Sequence, residues 1–171
     1  MDNIQKNTYV KNQITNTLLD LLKTKELKDI SISEITSTAQ VGRASFYRNY
    51  DDKEDILKKH LNKLIGNWHE EYDKNKTKNT SEDEMLGSMF AHLIEYSDFY
   101  LLLNKRNLFY LLRDVLKELY GPKPEYPNLG AYAAAFIFYG IYGWIEEWFA
   151  RGMQESAEEM VILLKNRNLN T

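Results

Sequence analysis

An all-α fold is what this chain predicts, and three observations carry the prediction. Apolar residues recur at intervals of three and four along nearly the whole sequence, with no convincing strand pattern. The same helix-opening pattern occurs three times, as Ser31-x-x-Glu34, Ser81-x-x-Glu84 and Ser156-x-x-Glu159. In that pattern a hydroxyl accepts from the third backbone N–H while the carboxylate reaches back to the first. All three prolines lie within residues 121–128, so the strongest helix breaker is confined to one loop. About nine helices are expected, with no internal repeat.

The elements follow in order. Val10, Ile14, Leu18, Leu21 and Leu22 place an amphipathic helix over about residues 8–24. Ser31 opens a short helix carrying Ile32, Ile35 and Ala39. Gln40-Val41-Gly42 makes a tight connection in which Gly42 is expected to take angles closed to other residues. A second short helix runs from Arg43 to about Asn49. Asp52 is a suitable N-cap for a long helix bearing Ile56, Leu57, Leu61, Leu64, Ile65 and Trp68, to about residue 74. Residues 73–83 are uniformly polar and predict a loop. Ser81 then starts a helix with Leu86, Met89, Phe90 and Leu93. A turn near Ser97-Asp98 leads into a further helix with Leu108, Leu112, Val115 and Leu119, ended by Gly121-Pro122. An apolar helix spans about 128–151, closed by Gly152, and Ser156 opens the last one.

Composition narrows the function. Forty-three per cent of the 171 residues are hydrophobic, ample for a core, and cysteine is absent, which suits a reducing cytoplasm. The start of the chain lacks the apolar stretch of a signal peptide, and residues 131–145 are too short to span a bilayer. A soluble cytoplasmic protein without a membrane partner is therefore expected. The net charge of −3 does not announce a nucleic-acid binder, but it is uneven: residues 1–60 carry 8 Lys and 2 Arg against 9 acids. The window from Ala39 to Tyr50 holds two arginines and no acid, and local fields are what a phosphate backbone feels.

Two short helices joined by a tight turn and flanked by longer ones outline a helix-turn-helix. Ile35, Ala39, Val41, Phe46 and Tyr50 can fix the angle between them, which leaves Arg43, Ala44, Ser45, Tyr47 and Arg48 pointing elsewhere. An arginine opening the second helix can chelate guanine, an alanine can touch a thymine methyl, and a tyrosine one turn on can bond a phosphate. From spacing alone, Tyr47 and Arg48 suit a plain half-buried surface equally well.

The run I-x-E-I-x-x-x-A-x-V-x-R-A-S-F-Y-R-x-Y-x-x-K-E-x-I-L, from Ile32 to Leu57, resembles the N-terminal domain of TetR/AcrR-type transcriptional regulators. The likeness covers about residues 8–60, and F-Y-R-x-Y-x-x-K-E is its most specific part. It implies a helix-turn-helix DNA-binding domain over 1–55 and a helical dimerisation and ligand-binding domain over 56–171. Base reading falls by resemblance to Arg43, Ala44 and Ser45, and phosphate contact to Tyr47 and Lys53, with Ser33 assisting. Arg48 is left between phosphate and solvent. Gly42 and Thr36 depart from the usual serine and alanine. Asp51-Asp52 sets two negative charges beside the phosphate track, and only Asp52 has a capping role to account for it.

Residues 132–160 resemble the last two helices of a subgroup of these regulators. Independently, Tyr132, Phe136, Tyr139, Gly140, Gly143, Trp144, Ile145 and Trp148 make that helix apolar around much of its circumference, so it must be covered on several sides. Either a second copy covers it or it is a core helix. The expected homodimer face is Gly140, Gly143, Trp144, Trp148, Met160 and Leu164. Phe90, Tyr96, Tyr100, Phe109, Tyr110, Tyr132, Phe136 and Tyr139 are either plain core or the lining of a site for a small apolar or aromatic effector. The expected function is a sequence-specific regulator, a repressor, that binds a pseudo-palindrome in double-stranded DNA as a homodimer and is released by an effector. The alternative is a TetR-like interaction protein acting through a protein partner. Catalysis is not expected: His60, His69 and His92 are scattered, His69-Glu70-Glu71 lacks metal-motif spacing, and no phosphate-binding loop appears. Neither a cofactor nor a metal is expected.

Overall fold

The computed structural model describes residues 3–166, and these contain nine α-helices, one 3₁₀ turn and no strand. Helix α1 (Asn3–Leu22) is followed by the 3₁₀ turn Leu27–Asp29, then α2 (Ile32–Thr38) and α3 (Arg43–Asn49). The long α4 (Lys53–Asn75) leads into α5 (Glu82–Glu95), α6 (Ser97–Lys105), α7 (Tyr110–Tyr120), α8 (Asn128–Ala150) and α9 (Ala157–Lys165). Ile14, Leu18 and Leu22 form the i, i+4, i+8 stripe of α1 and are fully buried, each contributing about 1.5–3 kcal/mol of transfer free energy. One apolar cluster runs unbroken from α1 through α4 to α9. No helix among the described residues is long and apolar enough to cross a membrane.

Helix starts match the hydroxyl signals. Ser31, Asp52, Ser81 and Ser156 each accept a backbone N–H from three residues on. Only Ser156 and Glu159 complete the reciprocal box, with Ser156 N 2.7 Å from Glu159 Oε2. Glu34 turns instead to Lys25.

Helix ends depart further from expectation. The segment expected as one helix after Ser97 is two, because Asn107 takes a left-handed φ of 56° and Leu108 N–H bonds back to Leu103 O at 2.8 Å. That closing pattern, with a left-handed residue one beyond the helix, satisfies carbonyls that have lost their intrahelical donors. The same device ends α2 at Gln40 (φ 54°), with Val41 N–H on Thr36 O, and α8 at Gly152 (φ 81°), with Met153 N–H on Trp148 O. Gly42 is therefore not the special residue of the α2–α3 turn. Its φ of −72° and ψ of 145° are ordinary extended backbone, and the unusual angle belongs to Gln40. Helix α1 starts earlier than expected, and α4 runs on into the stretch expected to be loop.

Candidate nucleic-acid interface

Helices α2 and α3 are locked from beneath. Ile35, Ala39, Phe46 and Tyr50 are buried, with Val41 packed against them, and the Phe46 and Tyr50 rings lie 5.9 Å apart. Tyr50 OH lies 3.3 Å from Thr15 Oγ1, which ties the end of α3 to α1. Thr36, standing where alanine is usual, is buried without penalty because its hydroxyl donates to Ile32 O at 2.9 Å. Asn49 folds back on Ser45 O at 2.8 Å, and Lys59 caps the end of α3 through Asn49 O at 2.8 Å. A cation at the carboxyl end of a helix meets the negative pole of its dipole.

What remains on the outside of α3 is a short polar face. Arg43, Ala44 and Arg48 are exposed, Ser45 is half-buried, and Tyr47 is 52% exposed with its ring edge-on to Phe46 at 5.3 Å. Ser33 is exposed near the start of α2. Neither Arg43 nor Arg48 forms an ion pair with any described residue, whereas the nearby Lys58 and Lys59 are engaged by Glu54 and Asp55. Two free guanidinium groups thus stand on a face whose neighbouring lysines are already neutralised.

Two charged residues have different places from those expected. Lys53 is not free: its Nζ donates to Leu27 O and Ile30 O, both at 2.6 Å, closing the carbonyl end of the turn before α2. Asp51 gains a partial account. Its backbone N–H donates to Asp55 Oδ2 at 3.0 Å, and its carboxylate adds to the Asp55 bond that holds the Lys59 ammonium above its ordinary value.

The expected effector residues do not gather. Phe90, Tyr100 and Phe109 are packed core, set edge-on or tilted against Trp148 and Phe149 at centroid distances of 4.9–5.8 Å. Tyr132, Phe136 and Tyr139 are exposed on α8, and Tyr96 and Tyr110 line separate clefts. An apolar cavity of about 160 Å³ does lie between α4, α5, α7 and α8, walled by residues such as Trp68, Met89, Leu116, Phe138 and Tyr142. None of the eight expected residues lines it. Helical phase separates the two sets: Phe138 and Tyr142 of α8 are buried and line the cavity, while Tyr132, Phe136 and Tyr139 of the same helix are exposed.

The expected dimer residues also split. Trp148, Met160 and Leu164 are 2–4% exposed within the single chain, filling the space between α8, α9 and the core. Trp144 is half-buried, and only Gly140 and Gly143 are open, with nothing within 4 Å of an added Cβ. The open face of α8 is instead Leu129, Tyr132, Phe136, Gly140 and Gly143, with Leu129 and Phe136 more than 80% exposed.

A family model of TetR-type regulators, described as a transcriptional regulator C-terminal region, matches residues 83–167. The fold is similar to that of a TetR transcriptional regulator from Streptococcus agalactiae 2603V, with a TM-score of 0.60, 20% identity and 92% of each chain covered. It is also similar to the dihydroxyacetone kinase operon activator DhaS, with a TM-score of 0.54, 18% identity and the same coverage. No curated protein matches the chain.

Proposed function

Since the chain belongs to the TetR family of transcriptional regulators, we propose that it binds a pseudo-palindromic operator as a homodimer through α2 and α3. The observation that carries this reading is the unpaired, acid-free face of α3. Arg43, Ala44 and Ser45 at its start read base edges, while Tyr47, Arg48 and Ser33 hold phosphates. Lys53 serves by positioning the turn before α2. No catalytic role is part of the reading, and a cytoplasmic setting is where such a regulator meets its DNA. The division near residue 55 separates reading head from dimerisation body, with α4 as the shared strut.

One observation supports the dimer. Large apolar side chains in a row on α8 are exposed, which a single soluble chain seldom tolerates over a contiguous area. The apolar cavity between α4 and α8 accommodates a small apolar or aromatic effector whose binding shifts the spacing of the two reading heads. Repression is the proposed direction. The operon activator DhaS, at 18% identity, shares the fold alone.

A second reading, an interaction protein acting through a protein partner, is favoured by Lys53 being occupied and by the acidic pair Asp51-Asp52. Enrichment of bound duplexes from a random pool, followed by anisotropy on the winners, separates the two. A palindromic consensus whose binding is weakened by Arg43→Ala and Tyr47→Phe supports the regulator. No enrichment at low salt supports the interaction protein.

A further inference from the structure

The groove between α4 and α5 is floored by four rings and rimmed by two carboxylates, a combination the DNA-binding reading does not use. Tyr72 stacks on Trp68 at 6.1 Å, Trp68 lies 6.1 Å from His92, and His92 lies 4.9 Å from Tyr96. The floor is held in place from behind: Trp68 Nε1 donates to Ser88 Oγ at 2.9 Å, and His92 Nε2 lies 3.1 Å from Tyr100 OH. Above it stand Glu71 from α4 and Glu95 from α5. Neither forms an ion pair with any described residue. Both lie near the Tyr96 hydroxyl, whose proton is held by the Glu95 charge first and by Glu71 in smaller measure. No lysine or arginine lines the groove, whose volume of about 320 Å³ is at the lower end for small-molecule sites.

We propose that this groove binds a small primary organic ammonium ion. The ring faces carry negative quadrupole, to which a cation is attracted, most strongly at tryptophan. The carboxylates supply charge and acceptors for ammonium N–H groups. His92, 6% exposed, lines the groove with its Nε2 engaged by Tyr100 OH at 3.1 Å, which fixes the ring against the ligand space. An inorganic cation suits the groove less well. The described residues contain no group of three His, Cys, Asp or Glu side chains able to hold a metal ion. Trp68 is the wall shared with the apolar cavity on its other side, and the groove otherwise stands apart from it. The inference is independent of operator binding.

Two-dimensional ¹⁵N NMR of the intact chain tests it, with the Trp68 indole N–H identified by comparison with Trp144→Phe and Trp148→Phe. Titration with n-butylammonium is expected to move the Trp68 signal saturably. Tetramethylammonium, with no N–H to donate, is expected to bind about tenfold more weakly, and 1-butanol not at all. Glu71→Gln and Glu95→Gln are each expected to weaken n-butylammonium about tenfold while leaving the thermal midpoint in place. The proposal is overturned by any of three results: no saturable shift at Trp68, equal response to 1-butanol, or affinity unchanged in both Gln variants. DNA binding measured on the same samples keeps this outcome separate from that of the operator reading.

Discussion

Lys53 Nζ lies 2.6 Å from both Leu27 O and Ile30 O, the carbonyls of a short turn, of which Leu27 O also accepts the Ile30 N–H at 3.3 Å. An ammonium so placed holds the path of the chain into α2 and is not available to a phosphate. Lys53→Met separates these roles. The structure predicts a loss of about 1–3 kcal/mol in urea unfolding, from two carbonyls deprived of a charged donor. It also predicts an unchanged slope of log affinity against log salt. A lysine on phosphate gives the opposite: the slope becomes shallower by about two per dimer, with little change in stability. The buried His92 and half-buried His60 yield a second residue-scale prediction. Desolvation holds His92 below the ordinary histidine value, and desolvation with the Lys63 charge does the same for His60. The unfolded chain therefore binds more protons than the folded one below about pH 6.5, so stability is complete above that value and is lost as pH falls. The thermal midpoint should drop between pH 7.5 and 5, and drop less in the His60→Gln, His92→Gln double variant.

At the scale of elements, α1–α3 are tied to the later helices by the continuity of α4, by the shared apolar core and by a polar anchor. That anchor is Arg106, 12% exposed in the α6–α7 turn. It donates to Leu22 O at 2.5 Å and to Lys23 O at 2.7 Å, and pairs with Glu26 at 2.7 Å. One guanidinium thus caps the end of α1 from the far side of the molecule. Arg106→Ala should cost about 1.5–3 kcal/mol in denaturant unfolding, and Arg106→Lys should recover little of it, since a point charge cannot serve three acceptors in a fork. Amide exchange in residues 23–26 should rise in both. Nothing in the spacing of Arg106 announces this role, because the contact spans more than eighty positions. The helices themselves were legible, since apolar period and hydroxyl caps are local. Their ends were less so, because Gln40 and Asn107 take left-handed angles without the glycine that signals them. The exposed position of Arg43, Ala44, Tyr47 and Arg48 was legible for the same local reason, and the orientation of the aromatics on α8 was not. Aromatic and apolar residues surround α8, so composition cannot say which side turns inward.

For the molecule as a whole, the decisive question is what covers that outer side of α8. Leu129, Tyr132 and Phe136 are 71–82% exposed and follow one another at helical spacing, with Gly140 and Gly143 continuing the line where a second helix can approach closely. A dimer through this line joins two reading heads, and only a pair of heads spans half-sites about 34–36 Å apart. Phe136→Glu puts a charge at the centre of the face while touching little within one chain. The variant should keep its helical circular dichroism and thermal midpoint but sediment as a monomer. Its operator affinity should fall toward non-specific binding, a Kd on the order of 10⁻⁴–10⁻⁶ M at physiological salt. Trp148→Ala should behave in the reverse order. Trp148 is 2% exposed and packs edge-on to Phe90 at 5.4 Å, so its loss opens a cavity in the single chain and costs about 3–5 kcal/mol before any effect on association. A Phe136→Glu protein that still sediments as a dimer would place the joining surface elsewhere, and the spacing of the reading heads would have to be derived from that surface instead.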